Sequence, residues 1–404
     1  MPPADVIDDA ASDSDVSELN SNDIGASSDA VTQLGYAEDP ETPLTADSFP
    51  SKSGGLPIWL NPENPLDQAN CQVCEKPMNL LVQLYTPEDY PEEAYHRTVY
   101  VFCCKDGACH KKNWRKCFKV VRSQLARNNP YYSPSSESDS EDEEAESWQP
   151  KKFDPSHLCV VCGLAGPKTC GKCHQEFYCS REHQLVDWNL AGHKQFCCQT
   201  VSAAQAIEIK DKRSKLLFTE KEIVSEPEGL GADGEEEQAQ LEFSKEQNGP
   251  TAAAASTALV PAGDEIYENT EVDVDQAFLK FQLKVQLYPE QVLRYTRTEY
   301  GSEDVEPLWV SDKGKPDAAD IPACHACGAE RTFEFQILST LLNYLGVSHV
   351  ATDSLDWGSL FVYTCKDNCP TQSKYLEEVL WKQDFSDEGV QLPTRRPDAV
   401  RADQ

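Results

Sequence analysis

The chain has 404 residues, with 36 Lys and Arg against 69 Asp and Glu, and a formal net charge of −33 at neutral pH. Acidity on that scale repels nucleic acid and anionic membrane surfaces and favours basic partners. The 17 cysteines, with no basic patch and apolar core at Met1-Pro2-Pro3-Ala4-Asp5, set the expectation of a reducing intracellular compartment in which thiols are kept for metal.

Residues 1–53 are expected to form a disordered acidic tail, because the first fifty hold a dozen Asp or Glu and no Lys or Arg. Residues 54–128 carry Cys71, Cys74, Cys104 and Cys109, which make a four-cysteine zinc site. Residues 129–156 read as an acidic linker around Ser135 to Glu144. Residues 157–199 hold eight Cys or His donors, spaced Cys159-x2-Cys162-x7-Cys170-x2-Cys173-x5-Cys179-x3-His183-x9-His193-x3-Cys197, enough for two tetrahedral zinc ions. Arg181 to Phe196 is expected to make the helix or helix pair that closes this segment. Residues 200–264 read as a partly helical and then acidic disordered linker, whose apolar run Thr251 to Ala262 is too short for a bilayer. Residues 265–390 carry Cys324, Cys327, Cys365 and Cys369, and 391–404 form a flexible tail. Within the last block, Asp275 to Tyr288 alternates like a strand yet also presents a helix face. Asp275 as N-cap and Pro289 as stop favour helix.

The two outer blocks read as copies of one unit. Counting from Cys74, Leu80, Val82 and Leu84 alternate around Gln83; counting from Cys327, Phe333, Phe335 and Ile337 stand at the same offsets around Gln336. Leu56-Pro57-Ile58-Trp59 matches Glu306-Pro307-Leu308-Trp309, and Cys104-Lys105-Asp106 matches Cys365-Lys366-Asp367. The repeat therefore selects Cys104 over Cys103 as ligand. His110 and His325 stand as substitute ligands, and Cys117 and Cys198 as thiols outside the sites.

The central spacing resembles the MYND zinc finger. The resemblance implies interleaved sites, with Cys159, Cys162, Cys179 and His183 on one zinc and Cys170, Cys173, His193 and Cys197 on the other. His183 stands where that family usually has cysteine. The resulting fold class is α+β: small zinc-stabilised domains, two repeat-related halves with an inserted MYND finger, plus disordered acidic tail and linkers. Pro289-Glu290-Gln291-Val292-Leu293-Arg294-Tyr295, joined to the flanking cysteine sets, is similar to the programmed cell death protein 2 family from about residue 54 to 375.

That resemblance implies a dedicated chaperone for a newly made, basic small-subunit ribosomal protein, working in cytoplasm and nucleus. The competing expectation is a MYND adaptor whose finger docks proline-rich peptides of transcription or chromatin regulators, with Gln184 and Trp188 at the contact. Catalysis is not expected: each site fills four positions with protein ligands, and H-E-x-x-H, P-loop and G-x-S-x-G motifs are missing from the sequence. RNA binding through the basic stretch Lys111 to Arg127 runs against the overall charge.

Overall fold

Runs of β-branched and aromatic residues with period-two alternation set the strands. A computed structural model describes residues 32–134, 152, 156–229, 275–297, 305–348, 352–372 and 374–385. The strands are β1 (Gln33–Glu38), β2 (Lys52–Ser53), β3 (Asn79–Tyr85), β4 (His96–Cys103), β5 (Phe118–Leu125), β6 (Lys168–Thr169), β7 (Phe177–Tyr178), β8 (Lys221–Pro227), β9 (Gln291–Tyr295), β10 (Arg331–Leu338), β11 (Ser359–Cys365) and β12 (Leu376–Gln383). The helices are α1 (Gly107–Asn113), α2 (Arg181–Val186), α3 (His193–Phe196), α4 (Ala203–Ser214) and α5 (Gln276–Leu287). Asp275 caps α5, accepting from Phe278 N at 2.9 Å, so the ambiguous segment is helical.

Ten strands close a barrel in the order β1-β8-β2-β3-β4-β5-β12-β11-β10-β9, and β9 pairs back to β1. Closure leaves no free edge among these strands. Every pairing is antiparallel. The two repeat halves are therefore not separate small domains. Each contributes a partial sheet, and one interior core draws on both, from Leu81, Val99 and Val101 to Phe335, Ile337 and Trp357.

Three strands come from stretches expected to be tail and linker, β1 and β2 from residues 1–53 and β8 from 200–264. β1 lies in the acid-rich first fifty residues, but its Leu34 is 1% exposed. At Gly35 an added Cβ would meet Ile223 at 2.9 Å and Leu293 at 3.0 Å, so only glycine lets β8 and β9 close on it. β8 anchors through Ile223 alone, a pattern too sparse to read as a strand. In the 129–156 linker, residues up to 134 are placed, with Tyr132 buried and its hydroxyl donating to Leu60 O at 2.8 Å. The remainder of the expected tail and linkers, 1–31, 135–151, 153–155 and 230–264, and the end segment 391–404, lie outside the described residues.

The repeat is built into the backbone. The register of β3 with β4 shifts between Leu80 and Val82, and that of β10 with β11 shifts between Phe333 and Phe335. Leu81 and Glu334, the bulged residues, stand at the same offset from Cys74 and Cys327. Gln83 Oε1 accepts from Ile58 N at 2.9 Å, and Gln336 Oε1 from Leu308 N at 3.0 Å. The halves meet where β5 pairs with β12, Arg122 opposite Leu376 and Val120 opposite Glu378. One step further that register sets Lys119 against Val379. Their neighbours in the sheet, Phe102 and Tyr363, are equivalent, so the repeat's two-fold runs through this seam.

The finger, with β6, β7, α2 and α3, packs on the outside of the first half, where Trp59, Leu66, Leu80 and Phe102 share a core with Val161, Leu164 and Tyr178. Trp59 Nε1 donates to Gly163 O at 2.8 Å. α5 covers the corresponding face of the second half through Phe281 and Val285, against Leu308, Phe333, Phe361 and Tyr363. No helix among the described residues is long and apolar enough to cross a membrane.

Candidate metal centres

Each C-x-x-C pair folds into the same tight turn. The N–H of the first cysteine donates to a carbonyl five or, at Cys170, six residues on, and the N–H four residues on donates back to the cysteine carbonyl. For Cys71 these bonds are to Lys76 O at 2.9 Å and from Glu75 N at 2.8 Å; for Cys324 they are to Ala329 O at 2.7 Å and from Gly328 N at 2.8 Å. Cys159 repeats the pattern with Gly163 as the fourth residue, whereas at Cys170 the first bond reaches one residue further, to Glu176 O at 2.9 Å, and His174 N donates back at 3.0 Å. That residue is left-handed in all four turns: Glu75, Gly163, His174 and Gly328 have φ of 62°, 72°, 55° and 81°. The turn aims both sulfurs one way, and the second pair of donors arrives from elsewhere in the fold.

Four clusters result: Cys71, Cys74, Cys104, Cys109; Cys159, Cys162, Cys179, His183; Cys170, Cys173, His193, Cys197; and Cys324, Cys327, Cys365, Cys369. In each, the donor atoms lie within 4.8 Å of one another. Individual separations include Cys74 to Cys104 at 3.9 Å, Cys162 to Cys179 at 3.6 Å, Cys170 to Cys197 at 3.8 Å and Cys327 to Cys365 at 3.5 Å. Four sulfurs at about 2.3 Å around a tetrahedral zinc would stand about 3.8 Å apart. Residues and spacing thus fit zinc, and the thiolate-rich donor set disfavours calcium or magnesium. His183 presents Nδ1, 3.5 Å from Cys159 Sγ and 3.4 Å from Cys179 Sγ, whereas His193 presents Nε2, 3.6 Å from Cys173 Sγ.

The clustered donors share protons with one another, which a bound cation would displace. Burial raises the Cys170 thiol, but the N–H groups of Cys173 and Lys172 and the His193 ring outweigh it and bring it down to about 6. Burial opposes a charged His183 ring, yet its hydrogen bonds with Cys159 and Cys179 lift it to about 9.

The remaining sulfurs and imidazoles have other partners. Cys103 is fully buried in the barrel core, its thiol 3.3 Å from Cys104 O. His110 places Nε2 2.8 Å from Cys104 O, so its ring supports a ligand's backbone. Cys117 donates to Asn113 O at 3.3 Å, with its sulfur 3.9 Å from that of Cys71. His325 is exposed and outside the cluster, and Cys198 is exposed beside Cys197 at 3.9 Å. Trp188 is half-buried and meets the His193 ring edge-on at 5.6 Å. Gln184 lies one helical turn before it on α2, half-buried.

Two supports were not read from sequence. Asp187, fully buried, accepts from Tyr178 Oη at 2.7 Å and from Arg213 Nε at 2.7 Å, which fastens α4 to the finger. Arg122 reaches from β5 to Cys369, donating to its carbonyl at 3.1 Å and lying 3.6 Å from its sulfur.

Three family models match the chain: programmed cell death protein 2, N-terminal domain, over residues 31–139; the MYND finger over 159–197; and programmed cell death protein 2, C-terminal putative domain, over 275–384. Programmed cell death protein 2 of Mus musculus is 38% identical over 369 residues, 90% of this chain and 99% of that protein. The protein of that name from Bos taurus is 39% identical over 88% of this chain and 97% of its own length. Programmed cell death protein 2-like of Homo sapiens is 27% identical over 84% of this chain and 91% of its own. No solved structure matches.

Proposed function

This chain belongs to the programmed cell death protein 2 family, and from that premise we propose that it is a non-catalytic zinc-binding chaperone. Its client would be a newly made, basic small-subunit ribosomal protein, held in cytoplasm and nucleus until assembly. The carrying observation is where the acidic segments attach. Residues 1–31 hold eight Asp or Glu and no Lys or Arg, and residues 230–274 hold eleven against a single Lys. The described residues that border them are neighbours: Glu228 N donates to Thr32 O at 2.7 Å, and Thr32 Oγ1 lies 3.4 Å from Thr296 Oγ1. Beyond Arg297 follows a third acidic stretch with Glu299, Glu303 and Asp304. Three acid-rich segments are thus tethered to one rim, the rim that also carries the Cys365–Cys369 loop. Negative charge concentrated there would speed capture of a basic chain and compete with its premature RNA contacts.

Four protein ligands per centre support a structural use of the metal over a catalytic one. The adaptor reading rests on α2 and the turn after it, where Leu185 and Leu190 are 49% and 63% exposed beside Trp188.

Association and dissociation rates of a purified basic ribosomal protein, measured against salt, separate the two. Replacing the acidic residues of 1–31 and 230–274 by Asn and Gln should slow association and flatten its salt dependence, with dissociation little changed. Finger deletion is a poor control, because it would uncover Trp59 and Leu66. The paired change Leu185→Ser, Leu190→Ser tests the finger instead. If that variant loses the client while the neutralised form keeps wild-type rates, the chaperone reading fails and the adaptor reading replaces it.

A further inference from the structure

The metal centres of the two halves are equivalent in backbone but not in what surrounds them. β4 and β11 run in opposite directions around the barrel, so Cys104 and Cys365, at their ends, lie at opposite rims. In the first half the loop after Cys104 becomes the start of α1, with Asp106 accepting from Ala108 N at 3.1 Å. In the second half Cys365 to Cys369 stays a loop and is held by arginines. Arg297 Nη2 donates to Cys365 O and Lys366 O at 3.3 Å each and to Asn368 Oδ1 at 2.9 Å. The other arginine belongs to the opposite half.

Arg122 on β5 is fully buried and crosses the seam to three acceptors of the second half. Nε donates to Glu378 Oε1 at 2.8 Å, Nη1 to Cys369 O at 3.1 Å, and Nη2 faces Cys369 Sγ at 3.6 Å. Arg331 Nε donates to the other oxygen of Glu378 at 2.8 Å. The next inward-facing contact on β5 adds to the clasp, Gln124 Nε2 donating to Asn368 O at 3.1 Å. Four thiolates around a divalent ion carry a net charge of about minus two, which is costly beside a buried seam unless cations face it. Arg122 and Arg331 with Glu378 between them supply one net positive charge at that place.

We propose that Arg122 makes the Cys324–Cys327–Cys365–Cys369 centre a clasp on the β5–β12 seam, so that metal held there and closure of the two halves stabilise each other. Linkage makes the coupling reciprocal. Disturbing the seam should loosen one metal, and emptying that one centre should loosen the seam.

The test uses the full chain loaded with zinc and a chromophoric chelator to follow release. Arg122→Gln should release one zinc equivalent about 10- to 100-fold faster, as loss of a supporting shell does, with the other equivalents leaving at wild-type rates. Arg122→Lys keeps charge near Glu378 but cannot span all three acceptors; it should show the same single fast equivalent, and it carries the test if Arg122→Gln does not fold. The reciprocal arm is hydrogen exchange. Cys327→Ser, at an exposed ligand, should speed exchange in 121–125 and 376–379, whereas Cys74→Ser, at the opposite rim where β5 begins, should leave those segments at wild-type rates. Uniform zinc release from the Arg122 variants, or equal seam exchange in the two cysteine variants, would overturn the proposal.

Discussion

The two halves of the barrel share a backbone and differ in what covers it. Both have the left-handed C-x-x-C turn, the bulge seven residues after the second cysteine, and a glutamine that clasps the Pro-x-Trp segment. Over the first half lies the finger, meeting Trp59 with a backbone carbonyl; over the second lies α5, meeting Leu308 and Phe361 with Phe281. Inside, the bulged position is Leu81 in one half and Glu334 in the other, and Glu334 is ion-paired to Arg97 at 2.5 Å with both side chains fully buried. Groups that fix the backbone are repeated, while side chains that meet a neighbour have diverged with that neighbour.

The largest effect expected from breaking the comparison is at the ligands. Cys104→Ser and Cys365→Ser should each remove one of four zinc ions by elemental analysis, since structural zinc contributes on the order of 10–16 kcal/mol to a small site. Cys103→Ser, at the core position beside Cys104, should retain four. Equal zinc loss from Cys103→Ser and Cys104→Ser would remove the equivalence of Cys104 and Cys365.

Next comes the bulge. Glu334→Leu copies the first half, but it strands Arg97 in the core and should cost about 3–5 kcal/mol in denaturant unfolding; adding Arg97→Met should recover most of that. The pH dependence has a definite sign. Burial pushes the Glu334 carboxyl up, but Arg97, Arg297 and Thr364 together hold it at about 2, against 4.5 when unfolded. The pair's stabilisation is therefore fully present above about pH 4.5 and is lost as pH falls from there towards 2. The double variant should show a flatter stability profile across that window.

A smaller and symmetric effect belongs to the glutamines. Gln83→Ala and Gln336→Ala each leave a backbone N–H without its acceptor, and each should cost about 1–3 kcal/mol. A twofold or greater disparity in their denaturation midpoints would show that the two clasps are not equivalent.

The metal ligands were legible because paired cysteines and histidines at knuckle spacing have few physical explanations besides metal, and the structure gathers the 16 predicted donors into four clusters. The repeat was legible from paired offsets such as Gln83 and Gln336, which turned out to make the same bond. What escaped was set by distant partners. β1 and β8 bear too few apolar residues to announce themselves, and they are strands because Gly35 lets three chains close together. Arg122 looked like one more charge in a basic stretch; its role depends on Glu378 and Cys369, some 250 residues away in sequence. Left-handed residues at Glu75 and His174 carried no signal, whereas glycine at 163 and 328 did.

The smallest effect tests the covers themselves. Trp59 and Trp309 are equivalent, but Trp59 is 5% exposed and its Nε1 donates to Gly163 O inside the barrel–finger core, while Trp309 is half-buried and donates to Glu306 Oε1 at an exposed site. Gly163 is the left-handed residue of the first finger turn, and an added Cβ there would meet Pro57 at 2.7 Å, so this carbonyl is held close to the barrel. Trp59→Phe leaves it without a donor in a dry contact, at a cost of about 1–3 kcal/mol. Trp309→Phe leaves a carboxylate that water reaches, and the change should stay within about 0.5 kcal/mol. Thermal midpoints of the two variants give the size of the effect, and amide exchange over 159–164 gives its place. Trp59→Phe should speed exchange in that turn and Trp309→Phe should not. If the two substitutions cost the same, or if Trp59→Phe lowers the midpoint while the turn keeps its protection, then the finger is not what distinguishes the two faces, and the divergence of their side chains needs another cause.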